Sequence, residues 1–206
     1  MSDVQTGDNT MDERLKKQLD FLLEIDKEKE IYRQTHILGG SRRENDTEHA
    51  WHMAIMAFVL QEYANEKIDV LHVMQMVLMH DLVEIYAGDT YAYDETAKQS
   101  QCEREVAAAD KIFGMLPDDQ ATEFRAIWDE FEARETPEAK FARMLDNYQP
   151  LSLNHANHGG DWKAHDVARS QVEKRNEISR EGSEVMGRVI ADIIEENVKK
   201  GNLRDA

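Results

Sequence analysis

The sequence predicts an all-α fold of roughly six to eight helices, and three observations carry that expectation. Only three Pro and ten Gly occur in 206 residues, and Ala, Leu, Glu, Lys, Met and Gln are abundant, a composition that favours helix. Apolar residues recur at three- and four-residue spacing, as in Phe124, Ile127, Trp128 and Phe131, which is the period of a helix face. No segment alternates with the period of two expected of a half-buried strand. With 41% hydrophobic residues the chain can bury one substantial core, so one domain is expected.

Residues 1–10 are polar and aperiodic and are expected to be a disordered tail, leaving 11–206 as the domain. Asp12 is placed to cap a first helix carrying Leu15, Leu19, Leu22 and Leu23. Its pattern continues through Ile31 and Tyr32, with Arg33 near its end. Gly39 and Gly40 break it, and residues 41–46 read as a polar loop. Asp46 or Thr47 opens the next helix, with Ala50, Met53, Ala54, Ala57, Phe58 and Leu60 apolar and His49 in the first turn. Residues 68–87 form another helix, apolar on nearly all sides through 70–79 and therefore central, which Gly88 stops. A loop over 89–94 leads into a helix over 95–113. Helices over 118–133 and from Pro137 to a stop at Pro150 follow, the latter with Asp146 set among apolar residues. NHANHGGDW reads as a loop, and 165–199 as a final long helix or helix pair interrupted near Gly182.

A formal charge of −17 excludes nucleic acid and anionic membrane surfaces as partners unless basic patches exist, whereas a small anionic substrate is compatible with a cationic or metal-lined pocket. The single Cys102 excludes an intramolecular disulfide and suits a reducing compartment. MSDVQTGDNT has neither a basic nor an apolar run, and no apolar stretch reaches the ~20 residues of a membrane helix. A soluble, cytoplasmic protein is expected.

The stretch LMHDLVEIYAGDT, from Leu78 to Thr90, concentrates ionisable residues at the end of an apolar run: His80, Asp81, Glu84 and Asp89. Buried imidazoles and carboxylates are costly without partners, and a metal ion is the usual partner of an adjacent His and Asp. Neighbouring side chains on a helix diverge by ~100°, so further ligands must come from other helices. His49 and Asp146 stand in similar apolar settings. Two imidazoles and two carboxylates form a borderline-hard set suited to one divalent ion, Mn, Co, Ni, Fe or Mg, with zinc possible as purified.

The ordered pattern Glu48–His49, His80–Asp81, Glu84, Gly88–Asp89 and a late Asp146 resembles the HD-domain metal-dependent phosphohydrolases, and within them the branch that includes bacterial 5′-deoxynucleotidases. The resemblance runs from about Leu19 to Pro150. It implies a helical bundle with a metal-site core over about 30–150 and C-terminal helices over about 163–200. It further implies one divalent metal on His49, His80, Asp81 and Asp146, with Glu84 and Asp89 as catalytic groups at the substrate end. An Arg from the preceding helix would bind phosphate; Arg33 is the matching position, and Arg42 and Arg43 are alternatives. The implied activity is hydrolysis of nucleoside 5′-monophosphates. In that branch a Trp that senses the sugar follows the Arg, whereas Gln34 stands here.

Two other readings are open at this point. Hydrolysis of another phosphorylated nucleotide, such as an alarmone, is weakened by Ile85, which occupies the last position of the HDxxED pattern of that group. A non-catalytic, metal-stabilised helical module leaves Glu84 and Asp89 without a use. A homodimer through the long C-terminal helix or another apolar helical face is expected.

Overall fold

In the computed structural model of the chain, which describes residues 12–89, 91–93 and 100–206, helix dominates as the composition predicts. Among these residues eight helices run eight residues or longer, and three single-turn pieces accompany them. The expected N-terminal tail lies outside the described residues.

Helix α1 (Glu13–Glu24) is capped by Asp12, whose side chain accepts from the Arg14 amide at 3.1 Å. It ends earlier than the sequence pattern suggests. A 3-10 turn over Ile25–Glu30 leads into strand β1 (Tyr32–His36), which pairs antiparallel with β2 (Arg43–Asn45). Arg33 therefore sits on a strand, and the polar stretch 41–46 is not a loop throughout. Tyr32 and Thr35 suit extended backbone, and Gly39 and Gly40, at φ 87° and 71°, supply the left-handed turn that lets the strands pair.

Helix α2 (Asp46–Leu60) and α3 (Val70–Met79) pack side by side, and α7 (Pro137–Ala156) crosses both. The expected helix over 68–87 is broken. Past Met79 the backbone tightens, with Leu82 bonding to Met79 and Glu84 to Asp81, before the single-turn α4 (Glu84–Ala87). Helices α5 (Gln101–Phe113) and α6 (Asp118–Ala133) close the first core, built on Met53, Val73, Met76, Phe113, Phe131 and Phe141. Val70–Ala87 is apolar and long enough to cross a membrane by composition; here it is the interrupted central element of that core.

Pro150 does not end α7, which runs on to Ala156. Proline in a helix interior costs about 3 kcal/mol, but the last turns carry Leu151 into a second core with Trp162, Val172, Ile190 and Ile194, and that burial outweighs the lost bond. This core joins α7 to α8 (Gly160–Ala164), α9 (Arg169–Asn176) and α11 (Glu184–Lys199). NHANHGGDW is thus partly helical, and the C-terminal stretch is broken more often than Gly182 alone suggests. The single-turn α10 (Ser179–Gly182) lies against α7 so closely that a Cβ on Gly182 would collide with the Lys140 carbonyl.

Glu28, in the 3-10 turn, is buried against the start of α2. One carboxylate oxygen accepts from the Thr47 hydroxyl at 3.1 Å and the other has no hydrogen-bond partner. Burial, reinforced by the charge of Asp81, pushes its pKa up to about 7 despite the Thr47 bond. A raised carboxyl pKa stabilises the fold below its ordinary value of 4.5, and this contribution is lost as pH rises through about 7. Glu28→Gln is expected to flatten the fall of stability between about pH 4.5 and 7, by up to about 3 kcal/mol, measured by urea unfolding at pH 4.5, 6 and 8.

Candidate metal centre

His49 is aimed inward by the start of α2. Asn45 caps that helix in a capping box: its side chain accepts from the Glu48 amide at 2.9 Å, and the Glu48 carboxylate accepts from the Asn45 amide at 3.3 Å. Glu48 is fixed further by Arg42 at 2.6 Å, so it serves the cap while the next residue, His49, is fully buried.

The protonation of both imidazoles is set by their partners. His49 Nδ1 lies 2.8 Å from Oε1 of Gln149, one turn after Asp146 on α7, and Gln149 Nε2 donates to Glu44 at 2.6 Å. An amide oxygen can only accept, so Nδ1 carries the proton and Nε2 presents its lone pair. His80 repeats the arrangement: Nδ1 donates to the Val77 carbonyl at 2.9 Å, leaving buried Nε2 without a hydrogen-bond partner. The ring packs on Phe131 with centroids 4.9 Å apart, and Trp128 Nε1 donates to the His80 carbonyl at 3.2 Å.

The break after α3 turns Asp81 back towards its neighbour, placing Oδ2 3.0 Å from His80 Nε2. From α7, Asp146 Oδ1 lies 3.3 Å from His49 Nε2 and 3.9 Å from His80 Nε2. Cis donors on an ion with ~2.1 Å bonds stand ~3 Å apart, and one donor atom each of His49, His80 and Asp81 falls within 4.8 Å of the others. With both Nδ1 atoms turned to acceptors and both Nε2 atoms aimed at the carboxylates, these four residues fit a divalent metal, which would displace the proton that Asp81 and Asp146 favour on His80. Asp146 Oδ2 faces the other way, 3.0 Å from Arg143 and 3.6 Å from Arg175.

Charges around the centre follow from burial and these contacts. Burial would raise Asp81, but His80 and Arg33 hold it well below the usual carboxylate range. Asp146 is likewise held low against burial by its close contact with the His49 imidazole and by Arg175 and Arg143. Burial and Arg33 lower His49 to about 4. Burial opposes the charged form of His80 too, yet Asp81 and Asp146 push it up to about 9.

Arg33 reaches from β1 to Asp81 Oδ2 at 2.6 Å and Asp46 Oδ1 at 3.2 Å. Asp46 is fully buried, and its Oδ2 and Glu84 Oε2 lack partners among the described residues. Burial, followed by the charge of Asp81, raises Asp46 to about 7 and Glu84 well above its ordinary value; a hydrogen bond from Glu84 restrains the rise of Asp46. Burial thus shifts both carboxyls towards the neutral form. Asp89 follows Gly88, whose φ of 75° turns the chain out of α4; burial and then Asp81 raise its pKa. Arg33, His80, Asp81, Glu84, Asp89 and Asp146 all line one cavity of about 140 Å³.

Arg42 and Arg43 are both exposed and do not line that cavity, Arg42 being bound to Glu48. Sequence reasoning missed Asp46, Gln149, Arg143 and Arg175 in this neighbourhood. Asp46 and Gln149 left a signal, since each lies three residues from a metal-ligand candidate on the same helix. Arg143 also precedes Asp146 by three residues, but Arg175 comes from a distant helix with no local sign. His52, one turn after His49, receives Gln149 Nε2 at 3.2 Å and so belongs to the surrounding network. In the H-x₂-H stretch, His155 meets Asn197 at 2.8 Å and His165 stacks near Tyr91, far from converging on one point.

A helical bundle with two imidazoles and two carboxylates converging at its buried seam defines a metal-binding helical protein. The HD domain family model matches residues 25–186, and the chain belongs to the HD domain family. Among solved structures, it is similar to a predicted metal-dependent phosphohydrolase from Magnetospirillum magnetotacticum MS-1, with a TM-score of 0.89 and 48% identity over 93% of this chain and 96% of that one. An HD-domain phosphohydrolase from Listeria innocua shares the fold at TM-score 0.60 and 17% identity, over 88% of this chain and 92% of that one. Among curated relatives, the 5′-deoxynucleotidase HDDC2 of Xenopus laevis is 33% identical over 59% of this chain and 56% of its own length. The human protein of that name is 30% identical over 53% and 52%. The chain thus matches about half the length of these curated relatives.

Replacing Gln149 by Leu removes the acceptor that fixes the His49 tautomer while keeping the volume. Metal affinity is expected to fall 10- to 100-fold, checked by competition with a chromophoric chelator, with the Gln149→Glu variant retaining an acceptor and losing less.

Proposed function

We propose that the chain is a metal-dependent phosphohydrolase that releases phosphate from nucleoside 5′-monophosphates in the cytoplasm. The observation that carries this reading is the convergence of His49 Nε2, His80 Nε2, Asp81 and Asp146 beside a cavity that also holds Glu84 and Asp89. The names of the curated relatives support the nucleotide substrate, and the borderline-hard donor set favours Mn, Co, Ni, Fe or Mg, with Zn as an alternative.

Bound at these residues, a divalent ion supplies Lewis-acid polarisation and a lowered water pKa. The chain's own groups do the rest. Gln149 and the Val77 carbonyl keep both imidazoles in one tautomer. Glu84, whose buried carboxyl is shifted towards its protonated form, can give a proton to a leaving oxygen in the cavity or take one from a water, and Asp89 lies on the same wall. Arg33 orients Asp81 and Asp46 and offers a guanidinium to phosphate. Tyr91 and Tyr93, with ring centroids 5.3 Å apart, form an apolar wall suited to a base.

A phosphate-release screen over ribo- and deoxynucleoside monophosphates, with Mn, Co, Ni, Mg and Zn supplied in turn, tests the reading. Glu84→Ala is expected to lower kcat by about 10² to 10⁴ while metal content stays normal. Gln34 lines the cavity where the related branch has a Trp, so ribose and deoxyribose substrates are expected to differ by less than about tenfold in kcat/KM, a difference of ~1.4 kcal/mol. A metal-replete protein inert towards every phosphomonoester would sink the proposal.

The chain is further proposed to form a homodimer through the outer faces of α2 and α3. Trp51, Ile55, Phe58 and Val59 on α2 and Leu71 and Leu78 on α3 are exposed on adjacent helices, apolar surface that water disfavours. Phe58→Glu is expected to convert the dimer to a monomer in sedimentation velocity without changing the far-UV helical signal.

A further inference from the structure

The metal-site cavity opens past Tyr93, Asn147 and three guanidinium groups, those of Arg134, Arg143 and Arg175, into an outer chamber of about 880 Å³. Both cavities share these residues, so the chamber is continuous with the reaction site. On a chain of net charge −17, such a gathering of cations calls for a reason. Each arginine comes from a different helix: Arg134 caps α6 in a left-handed conformation at φ 58°, Arg143 is on α7 and Arg175 on α9.

Among the described residues, which also place Lys174, Glu177 and Glu181 on the chamber wall, their carboxylate partners do not balance them equally. Arg143 is paired with Glu132 at 2.8 Å and Asp146 at 3.0 Å. Arg134 meets Glu132 only at 3.6 Å, with its side chain 41% exposed, and Arg175 meets Asp146 only at 3.6 Å, beyond good hydrogen-bonding distance for each. Glu132 and Asp146 thus answer Arg143 first. Burial and then the positive charge of Arg143 lower the pKa of Arg134, with Arg175 adding to the repulsion. Like charges held together in this way are relieved by an anion between them, and planar guanidinium groups match phosphate oxygens two at a time.

We propose that the outer chamber is a second anion subsite, in which Arg134 and Arg175 hold a phosphate dianion separate from the one at the metal centre. The dianion has two sources of the same chemistry: a second phosphate on the substrate, as in a nucleoside 3′,5′-bisphosphate, or free inorganic phosphate. The role of the metal centre rests on the phosphohydrolase reading; occupancy of the chamber does not.

Arg134→Gln tests the subsite, since Arg134 touches none of the metal ligands, and Arg134→Lys keeps the charge. The metal-loaded protein is titrated calorimetrically with inorganic phosphate, and KM is measured for a nucleoside 5′-monophosphate and its 3′,5′-bisphosphate. Wild type is expected to bind two phosphates per chain and Arg134→Gln one, with the Lys variant intermediate. If the substrate supplies the dianion, Arg134→Gln raises KM for the bisphosphate about tenfold and for the monophosphate less than twofold. If free phosphate is the ligand, the stoichiometry changes and the two KM values move together. Unchanged stoichiometry with unchanged KM values overturns the subsite, as does an equal loss in the Gln and Lys variants. Should no phosphomonoester be hydrolysed, the phosphohydrolase reading fails while the titration still decides the subsite.

Discussion

The structure depends on one buried carboxylate. Asp146 lies in the middle of α7, almost without solvent contact, and its two oxygens face opposite ways: Oδ1 towards the imidazoles of His49 and His80, Oδ2 towards Arg143 and Arg175. A charge so placed costs several kcal/mol unless it is paired on every side. The pairing here requires α2, the end of α3 and α9 to meet α7 at one level, so the crossing of these helices and the chemistry of the site are the same constraint. The cores on either side of that level, around Phe131 and Phe141 and around Trp162 and Ile190, hold the crossing in place.

The turn after Met79 is the second requirement. On an uninterrupted helix Asp81 would point a quarter-turn or more away from His80. The tightened backbone from Leu82 to Ile85 brings Asp81 Oδ2 back to 3.0 Å from His80 Nε2 and starts a new helix at Glu84. An apolar helix that looked regular by composition is irregular where it carries function, and the packing of Val73, Met76 and Val77 makes that irregularity affordable.

Helix type and most helix starts were legible in the sequence because capping and period are local: Asp12 and Pro137 mark their helices as expected. The hairpin was not, since five residues from Tyr32 become a strand only through pairing with Arg43–Asn45. Pro150 misled for the opposite reason, a local rule yielding to distant burial in the second core. At the site, His49, His80, Asp81 and Asp146 were visible as ionisable residues in apolar surroundings, and the fold brings their donor atoms together. Arg175 left no trace in the sequence because its relation to Asp146 spans two helices and exists only in three dimensions.

The same geometry sets the charges of so acidic a cavity. Asp46, Asp81, Glu84, Asp89 and Asp146 would repel a dianion if all were charged. They are not equivalent, however. Asp81 and Asp146 are held ionised by the cations and imidazoles they face, whereas burial and the charge of Asp81 raise the pKa of Asp46, Glu84 and Asp89. One set keeps its charge for a metal, and in the other burial shifts the balance towards the neutral form. A protonated carboxyl donates a hydrogen bond to an anion instead of repelling it. Under the proposed phosphohydrolase reading, a proton source and tolerance of an anionic substrate would share a single cause, the burial of these carboxyls beside Asp81.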